Sequence, residues 1–260
     1  MKKYIIVTGG AGFVGSNLIK GLISKTDKQI LSIDNYSSGK KSNHINSRKV
    51  KYINSHTKNI FKVLNSKKKN IDSIFHFGEF ARIFQSFNYM NDCIESNSIG
   101  SFEVFKFCLQ NKIKLIYSAT SASLGNKGMD QNLSPYAFTK SRNIKLITHL
   151  NKQNNFKYEA LYFYNVYGSK QITKGKMATV IGIFEDQFLN KKPLTVVRPG
   201  NQKRIFTHID DTINGCFYAW KLNRNRHYSL SGNKQYSILE IAKFFSTKIK
   251  FVKKRLGERN

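Results

Sequence analysis

The chain has 260 residues, 40% of them apolar and 13% aromatic, which is enough to bury a full hydrophobic core and too apolar for a disordered protein. Its formal charge of +29 favours anionic partners. The lysines, however, are scattered among Asn and Ile, with no arginine-rich tract, zinc-finger spacing or RNA-stacking motif; nucleic acid is therefore a disfavoured partner and the cations read as a solvated surface. No apolar run approaches the roughly 18–20 residues that span a membrane, and Tyr4 to Val7 is too short for a signal-peptide core, so no membrane partner and a cytoplasmic location are expected. Cys93, Cys108 and Cys216 are widely spaced and lack CxxC or His–Cys clustering, which predicts free core thiols and neither a disulfide framework nor a metal site.

Taken in chain order, Tyr4 to Thr8 is a short apolar run ending in glycines, the pattern of a buried strand, and Phe13 to Ile23 follows with helical spacing. Gly9, Gly12 and Gly15 lie in the turn between them. In such a turn the first glycine permits the sharp bend, the second lets the backbone approach a pyrophosphate and the third lets helix and sheet pack closely. Ile30 to Ile33 is the second strand and ends in Asp34, about 20 residues beyond the turn, where a carboxylate binds both hydroxyls of a ribose and repels a 2′-phosphate. The implied cofactor is NAD rather than NADP. From Asn35 to Ile71 there is no acid, while Lys40, Lys41, Arg48, Lys49, Lys51, Lys58, Lys62 and Lys67 to Lys69 fall there.

Ile74 to Phe77 and Lys114 to Ser118 are further β-like runs, with a helix at about Asn97 to Gln110 between them. A helix is predicted from Pro135 to Lys152, and a strand from Tyr158 to Tyr164. The alternation predicts an α/β fold, a doubly wound parallel sheet of Rossmann type. After Asn165 the regularity weakens. The expected division is residues 1–165 and 204–225 for the NAD-binding domain, with residues 166–203 and 226–260 as a small, split substrate lobe.

Tyr136 and Lys140 are four apart in the predicted helix and project from one face. An ammonium so placed stabilises a phenolate that takes a hydroxyl proton as hydride leaves the same carbon. The helix follows a strand ending in Ser118, Ala119, Thr120 and Ser121, where a hydroxyl can hold the reacting oxygen. His76, beside a strand end, reads as a hydrogen-bonded structural histidine, and Asp211 as a helix cap or structural acid.

These motifs together resemble the extended short-chain dehydrogenase/reductases of the NAD-dependent epimerase/dehydratase family. The resemblance covers essentially the whole chain. It rests on Thr8 to Gly15, Ile33 to Gly39, Phe75 to Phe77, Asn97 with Gly100, Tyr136 to Lys140, Tyr164 to Gly168, Gln202 to Arg204, His208 to Asp211 and Arg255 to Glu258. It implies cofactor contacts from Gly9, Gly12, Phe13, Val14, Gly15, Asp34, Asn35, Ser37, Ser38, Gly39, Phe77, Gly78, Asn97, Ser118, Tyr136 and Lys140. Thr120, Tyr136 and Lys140 would be catalytic, and Thr120, Asn165, Arg204 and Arg255 would bind a nucleotide-sugar, the two guanidiniums forking onto its diphosphate. A homodimer is implied, through the helices around Asn97 to Gln110 and Pro135 to Lys152, with Val104, Phe105, Phe107 and Cys108 suited to the contact or to the core.

Sugar dehydratases of this family carry an acid pair straight after the catalytic threonine, and the decarboxylases a Glu two residues on. Ser121 and Ala122 stand here instead, which points to a nucleotide-sugar 4-epimerase, an isomerase needing only the Thr–Tyr–Lys set and NAD. The alternatives are an NAD-dependent nucleotide-sugar dehydrogenase, reductase or dehydratase on the same scaffold, and a non-catalytic nucleotide-binding or regulatory protein. The chain departs from the family pattern at Ser55 and His56, where an adenine-binding Gly–Asp is usual, and at Gly78, Glu79 and Phe80, where small residues are usual. It also ends at Asn260, where many relatives continue, which leaves the completeness of the substrate lobe open.

Overall fold

The computed structural model describes residues 3–124 and 126–253. From the N-terminus run β1 (Tyr4–Thr8), α1 (Phe13–Lys25), β2 (Gln29–Asp34), β3 (Val50–Asn54), α2 (Ile60–Leu64), β4 (Ile71–His76), α3 (Gln85–Asn88) and α4 (Met90–Ile94). A π-helical turn, Glu95–Gly100, leads into α5 (Ser101–Gln110), followed by β5 (Lys114–Thr120), α6 (Pro135–Asn154) and β6 (Tyr158–Phe163). The rest comprises β7 (Val166–Tyr167), α7 (Val180–Leu189), β8 (Leu194–Val197), β9 (Lys203–Ile205), β10 (Thr207–His208), α8 (Ile209–Lys221), β11 (His227–Leu230), β12 (Gln235–Ser237), α9 (Ile238–Phe244) and β13 (Ile249–Val252).

Seven parallel strands form the main sheet in the order β11-β6-β5-β4-β1-β2-β3. The order reverses between β1 and β4, and a crevice opens there outside the carboxyl ends of the strands. Alternation along each strand sends side chains to opposite faces. Ile6, Ile74, Leu115 and Tyr117 enter one core with Phe105 and Phe107 of α5. Ile5, Val7, Phe75 and Ile116 enter the other with Leu18, Ile19 and Leu22 of α1 and Phe217 of α8. Burial on both faces is why these strands read as apolar runs. Cys93, Cys108 and Cys216 are free and buried, as the spacing predicted.

Two assignments change. His227–Leu230, expected in the lobe, pairs in parallel with β6 and becomes the seventh strand of the main sheet. An edge strand needs only one covered face, and this four-residue segment alternates exposed and half-buried positions, too short and polar to read as a buried run. Arg204, expected at the start of the main-domain return, lies on β9, which pairs antiparallel with β12 in the lobe. The lobe has its own small core of Phe184, Leu194, Val196, Ile241 and Ala242, with β8 and β13 pairing beside it. Val104, Phe105, Phe107 and Cys108 are 0–1% exposed, so they are core residues and not contact residues. Exposed apolar side chains on these and the adjoining helices include Ile94, Ile99, Phe102 and Phe138. No helix among the described residues is long and apolar enough to cross a membrane.

Candidate active site

The crevice is a cleft lined in part by Gly9, Gly12, Phe13, Val14, Gly15, Asp34, Asn35, Ser37, Ser38, Phe77 and Gly78, all singled out from the sequence. Its phosphate end is main chain. Gly9 turns at φ +71°, in the left-handed region, and a Cβ on Gly15 would lie 2.1 Å from the Gly9 carbonyl oxygen. The first turn of α1 follows, its N-cap Gly12 offering no side chain in competition with an anion. Asp34 ends β2 with its carboxylate accepting from the Ala11 N–H (2.9 Å) and the Tyr36 N–H (2.8 Å). Each oxygen keeps a second lone pair for a ribose hydroxyl. Burial raises the Asp34 pKa, opposed by these two backbone bonds. Gly39 packs beneath that carboxylate, where a Cβ would meet both oxygens at 2.9 Å. A glycine cradle closed by a carboxylate with lone pairs to spare fits NAD.

Ser55 and His56 also line the cleft, at the end of β3, where the family pattern has its adenine-binding acid. The His56 ring accepts from the Lys58 N–H and caps a short 3-10 turn, and burial lowers its pKa.

Glu79, on the cleft's lining, leads to β5 and α6 through its bonds to Tyr117 and Lys140. All seven residues of β5 are buried, so the strand delivers Ser118 and Thr120 rigidly. α6 starts at Ser134, whose hydroxyl accepts from the Ala137 N–H, with Pro135 at its first position, a pre-organised N-terminus. From that first turn onward Tyr136, Thr139, Lys140 and Asn143 share the buried face. Tyr136 is 9% exposed and Thr120 7%, leaving each at the edge of solvent. The Thr120 Oγ1 accepts from the Ala122 N–H (3.2 Å). The Ser118 hydroxyl donates to the His76 carbonyl, and Lys140 donates to Ser118 at both its carbonyl and its hydroxyl.

A group the sequence marks only as a departure from the family pattern is Glu79, just past β4. Its side chain is 1% exposed and forms an ion pair with Lys140. It also accepts from Ser101 Oγ (2.8 Å), Tyr117 OH (3.0 Å) and Asn143 Nδ2 (3.1 Å). Because Ser101 spends its proton on Glu79, its oxygen accepts from His76 Nε2 (2.9 Å), and His76 Nδ1 accepts from Thr8 Oγ1 (2.8 Å). His76 is therefore structural, and burial holds its pKa down to about 4. Burial together with Glu79 raises the Tyr117 pKa well above the usual phenol value. The signal was present: an acid at the end of an apolar run, in a chain with only 15 acids.

Asn97 is wholly buried, its amide donating to the Phe80 carbonyl and to Thr139, its carbonyl oxygen accepting from the Phe80 N–H. It fastens the loop that carries Glu79. Arg82, unmarked in the sequence, lines the cleft and donates from Nε to the Met177 carbonyl (2.7 Å), joining this loop to the lobe-side segment. Asn165 takes a positive φ of 36° and donates to the Ile205 carbonyl (2.8 Å), which fits a role in fastening the lobe. Arg204 is half-buried on β9. Arg255 lies outside the described residues. Asp211 does not cap α8: His208 does, and Asp211 is an exposed acid in the first turn, favourable to the helix dipole. Among the described residues no cluster of His, Cys, Asp and Glu could hold a metal ion.

Residues 5–231 match the profile of the NAD dependent epimerase/dehydratase family. Over 254 residues the chain is 30% identical to an ADP-L-glycero-D-manno-heptose-6-epimerase of Brachyspira hyodysenteriae, covering 92% of this chain and 79% of that protein. The UDP-N-acetylglucosamine 4-epimerase of Methanobrevibacter ruminantium, solved with UDP-N-acetylmuramic acid, superposes with a TM-score of 0.89 at 26% identity, over 99% of this chain and 88% of that one. A UDP-glucose 4-epimerase of Thermotoga maritima shares the fold, with a TM-score of 0.91 at 22% identity, over 98% of this chain and 87% of that one.

Proposed function

Because the chain belongs to the NAD-dependent epimerase/dehydratase family, we propose that it inverts C4 of a nucleotide-sugar by transient oxidation at that carbon. One observation carries the reading: α6, with Tyr136 and Lys140 on its buried face, packs on β5 through the Lys140–Ser118 bonds, Thr120 ends that strand, and the residues following Thr120 are Ser121 and Ala122, with no carboxylate to expel a hydroxyl. Bound NAD supplies the hydride acceptor and returns the hydride. Everything else is asked of the protein's side chains. Tyr136 Oη takes the C4 hydroxyl proton and later gives it back, Thr120 Oγ1 orients the C4 oxygen, and the Lys140 ammonium stabilises the phenolate. Asn165, Arg204 and Arg255 are assigned to the nucleotide diphosphate. Ile94, Ile99, Phe102 and Phe138 are proposed as the contact of a homodimer, since apolar side chains left facing solvent on neighbouring elements favour a partner surface.

A second reading has support of its own. The 30% identity to a heptose-6-epimerase favours inversion one carbon beyond the ring, with the same three side chains acting on a different hydroxyl. Which carbon reacts depends on how the sugar sits in the lobe. The two readings separate on a panel of UDP-, dTDP- and ADP-sugars that includes ADP-heptose, with the product's inverted carbon assigned by NMR. Inversion at C4 supports the first; inversion at C6 replaces it with the second. Dehydration or net reduction of NAD overturns both.

A further inference from the structure

Glu79 has no part in the proton and hydride transfers, yet it is bound to the residue on which they depend. In the family pattern small side chains follow the strand-end histidine. Here a carboxylate fills that space, buried at 1% exposure, with four donors converging on it: Lys140 Nζ, Ser101 Oγ, Tyr117 OH and Asn143 Nδ2. A carboxylate offers about four lone-pair sites on its two oxygens, and these four donors match them. A buried charge of this kind acts over several ångströms with little screening.

We propose that Glu79 is a positioning residue that sets the charge of the reaction centre, holding Lys140 in place while cancelling much of the ammonium's field at the Tyr136 hydroxyl. A bare ammonium one turn along the helix would favour the phenolate strongly. An ammonium paired with a carboxylate presents a dipole, whose field falls faster with distance, so Tyr136 ionises at higher pH than Tyr and Lys alone would dictate. The inference rests on the reading of Tyr136 as the proton acceptor.

The surrounding groups leave Glu79 as the adjustable charge. From β4, His76 is held neutral down to about pH 4 by burial. From β5, Tyr117 stays protonated because burial and Glu79 both raise its pKa. From α4, burial pushes the Cys93 thiol up to about 11. From the loop after β4, Arg82 faces Tyr136 as a guanidinium whose pKa burial lowers. Ser101 of α5, and Thr139 and Asn143 of α6, bear no charge.

The test needs no substrate. Phenolate absorbance of the NAD-loaded protein is titrated, and subtracting the same titration of the Tyr136→Phe version isolates this residue from the other tyrosines among the chain's 13. In the Glu79→Gln background the Tyr136 midpoint should move to lower pH by roughly one unit. Glu79→Asp, which keeps the charge, should return it most of the way to wild type. An unmoved midpoint in Glu79→Gln overturns the proposal, as does an equal downward shift in Glu79→Asp, which would assign the effect to packing. Should Glu79→Gln not fold, Glu79→Ala restores the small residue of the family pattern and carries the same expectation. If the sugar panel finds a different reaction, this titration still reads the charge of the centre, so the two ideas fail separately.

Discussion

At the carboxyl ends of the central strands Lys140, Ser118, Thr120 and Asp34 are each held by hydrogen bonds, whereas the lobe, where Arg204 is proposed to read the substrate, is built on ladders only two to four residues long. Lys140 is tied to Glu79 and Ser118, and Asp34 to two backbone amides. Arg204 sits on a three-residue strand paired with one of equal length. The difference separates two tasks. Proton and hydride transfer tolerate little misplacement and need a rigid frame. Choice of sugar, which the proposal gives to the lobe, can be adjusted by side chains on short elements, where substitution disturbs little else. Substitutions at the sheet end should therefore strike turnover or folding, and those in the lobe should strike apparent affinity.

The largest effect is expected at Tyr136. Tyr136→Phe removes one hydroxyl and should lower kcat by about 10²- to 10⁴-fold, with the melting temperature almost unchanged and NAD still bound. A turnover within a few-fold of wild type would break the distinction at its strongest point.

The buried histidine of the frame gives the next effect, in stability. His76 titrates at about 4 in the folded protein against 6.5 for an ordinary histidine. Between those values the unfolded chain binds more protons. The stability contribution is fully present above pH 6.5 and is lost as pH falls towards 4. Urea unfolding at pH 7 and at pH 4.5 should therefore differ by roughly 2–3 kcal/mol from this group, and His76→Gln should remove that part of the slope.

How much of this could be read from the chain follows the same divide. The glycine turn, Asp34, Thr120, Tyr136 and Lys140 were legible because each is fixed by its place relative to a buried strand, and both-face burial writes such strands as apolar runs. β11 was not, because an edge strand of four residues lacks that run, and its pairing with β6 joins residues as distant as Ala160 and His227. Val104 and Phe105 were ambiguous for a related reason: helical apolar spacing marks a covered face without saying what covers it. Glu79 was visible as a departure from pattern, but its ion pair with Lys140 joins residues 61 apart, which no local spacing encodes.

A smaller effect is expected at Asp34. Asp34→Ala removes the ribose acceptor and should weaken NAD binding by about 10- to 100-fold, the size of one or two hydrogen bonds to a charged group, and narrow the preference over NADP. Calorimetry with both cofactors checks it; unchanged discrimination would mean another group reads the ribose.

Smallest is the lobe. Arg204→Ala should raise the KM for the nucleotide-sugar about tenfold, roughly one charge-assisted contact, while kcat stays within a few-fold. A fall in kcat with KM unchanged would place Arg204 on the rigid side of the comparison.

The central claim is that the centre around Tyr136 oxidises and re-reduces one carbon of a nucleotide-sugar without exchanging its hydrogen with water. The direct measurement is NMR of products formed in D₂O by the NAD-loaded protein from the substrate identified in the nucleotide-sugar panel. The account predicts inversion at C4 with no deuterium at that carbon and no accumulated NADH. Deuterium incorporated from solvent, inversion at another carbon, or NADH formed in step with product would contradict it.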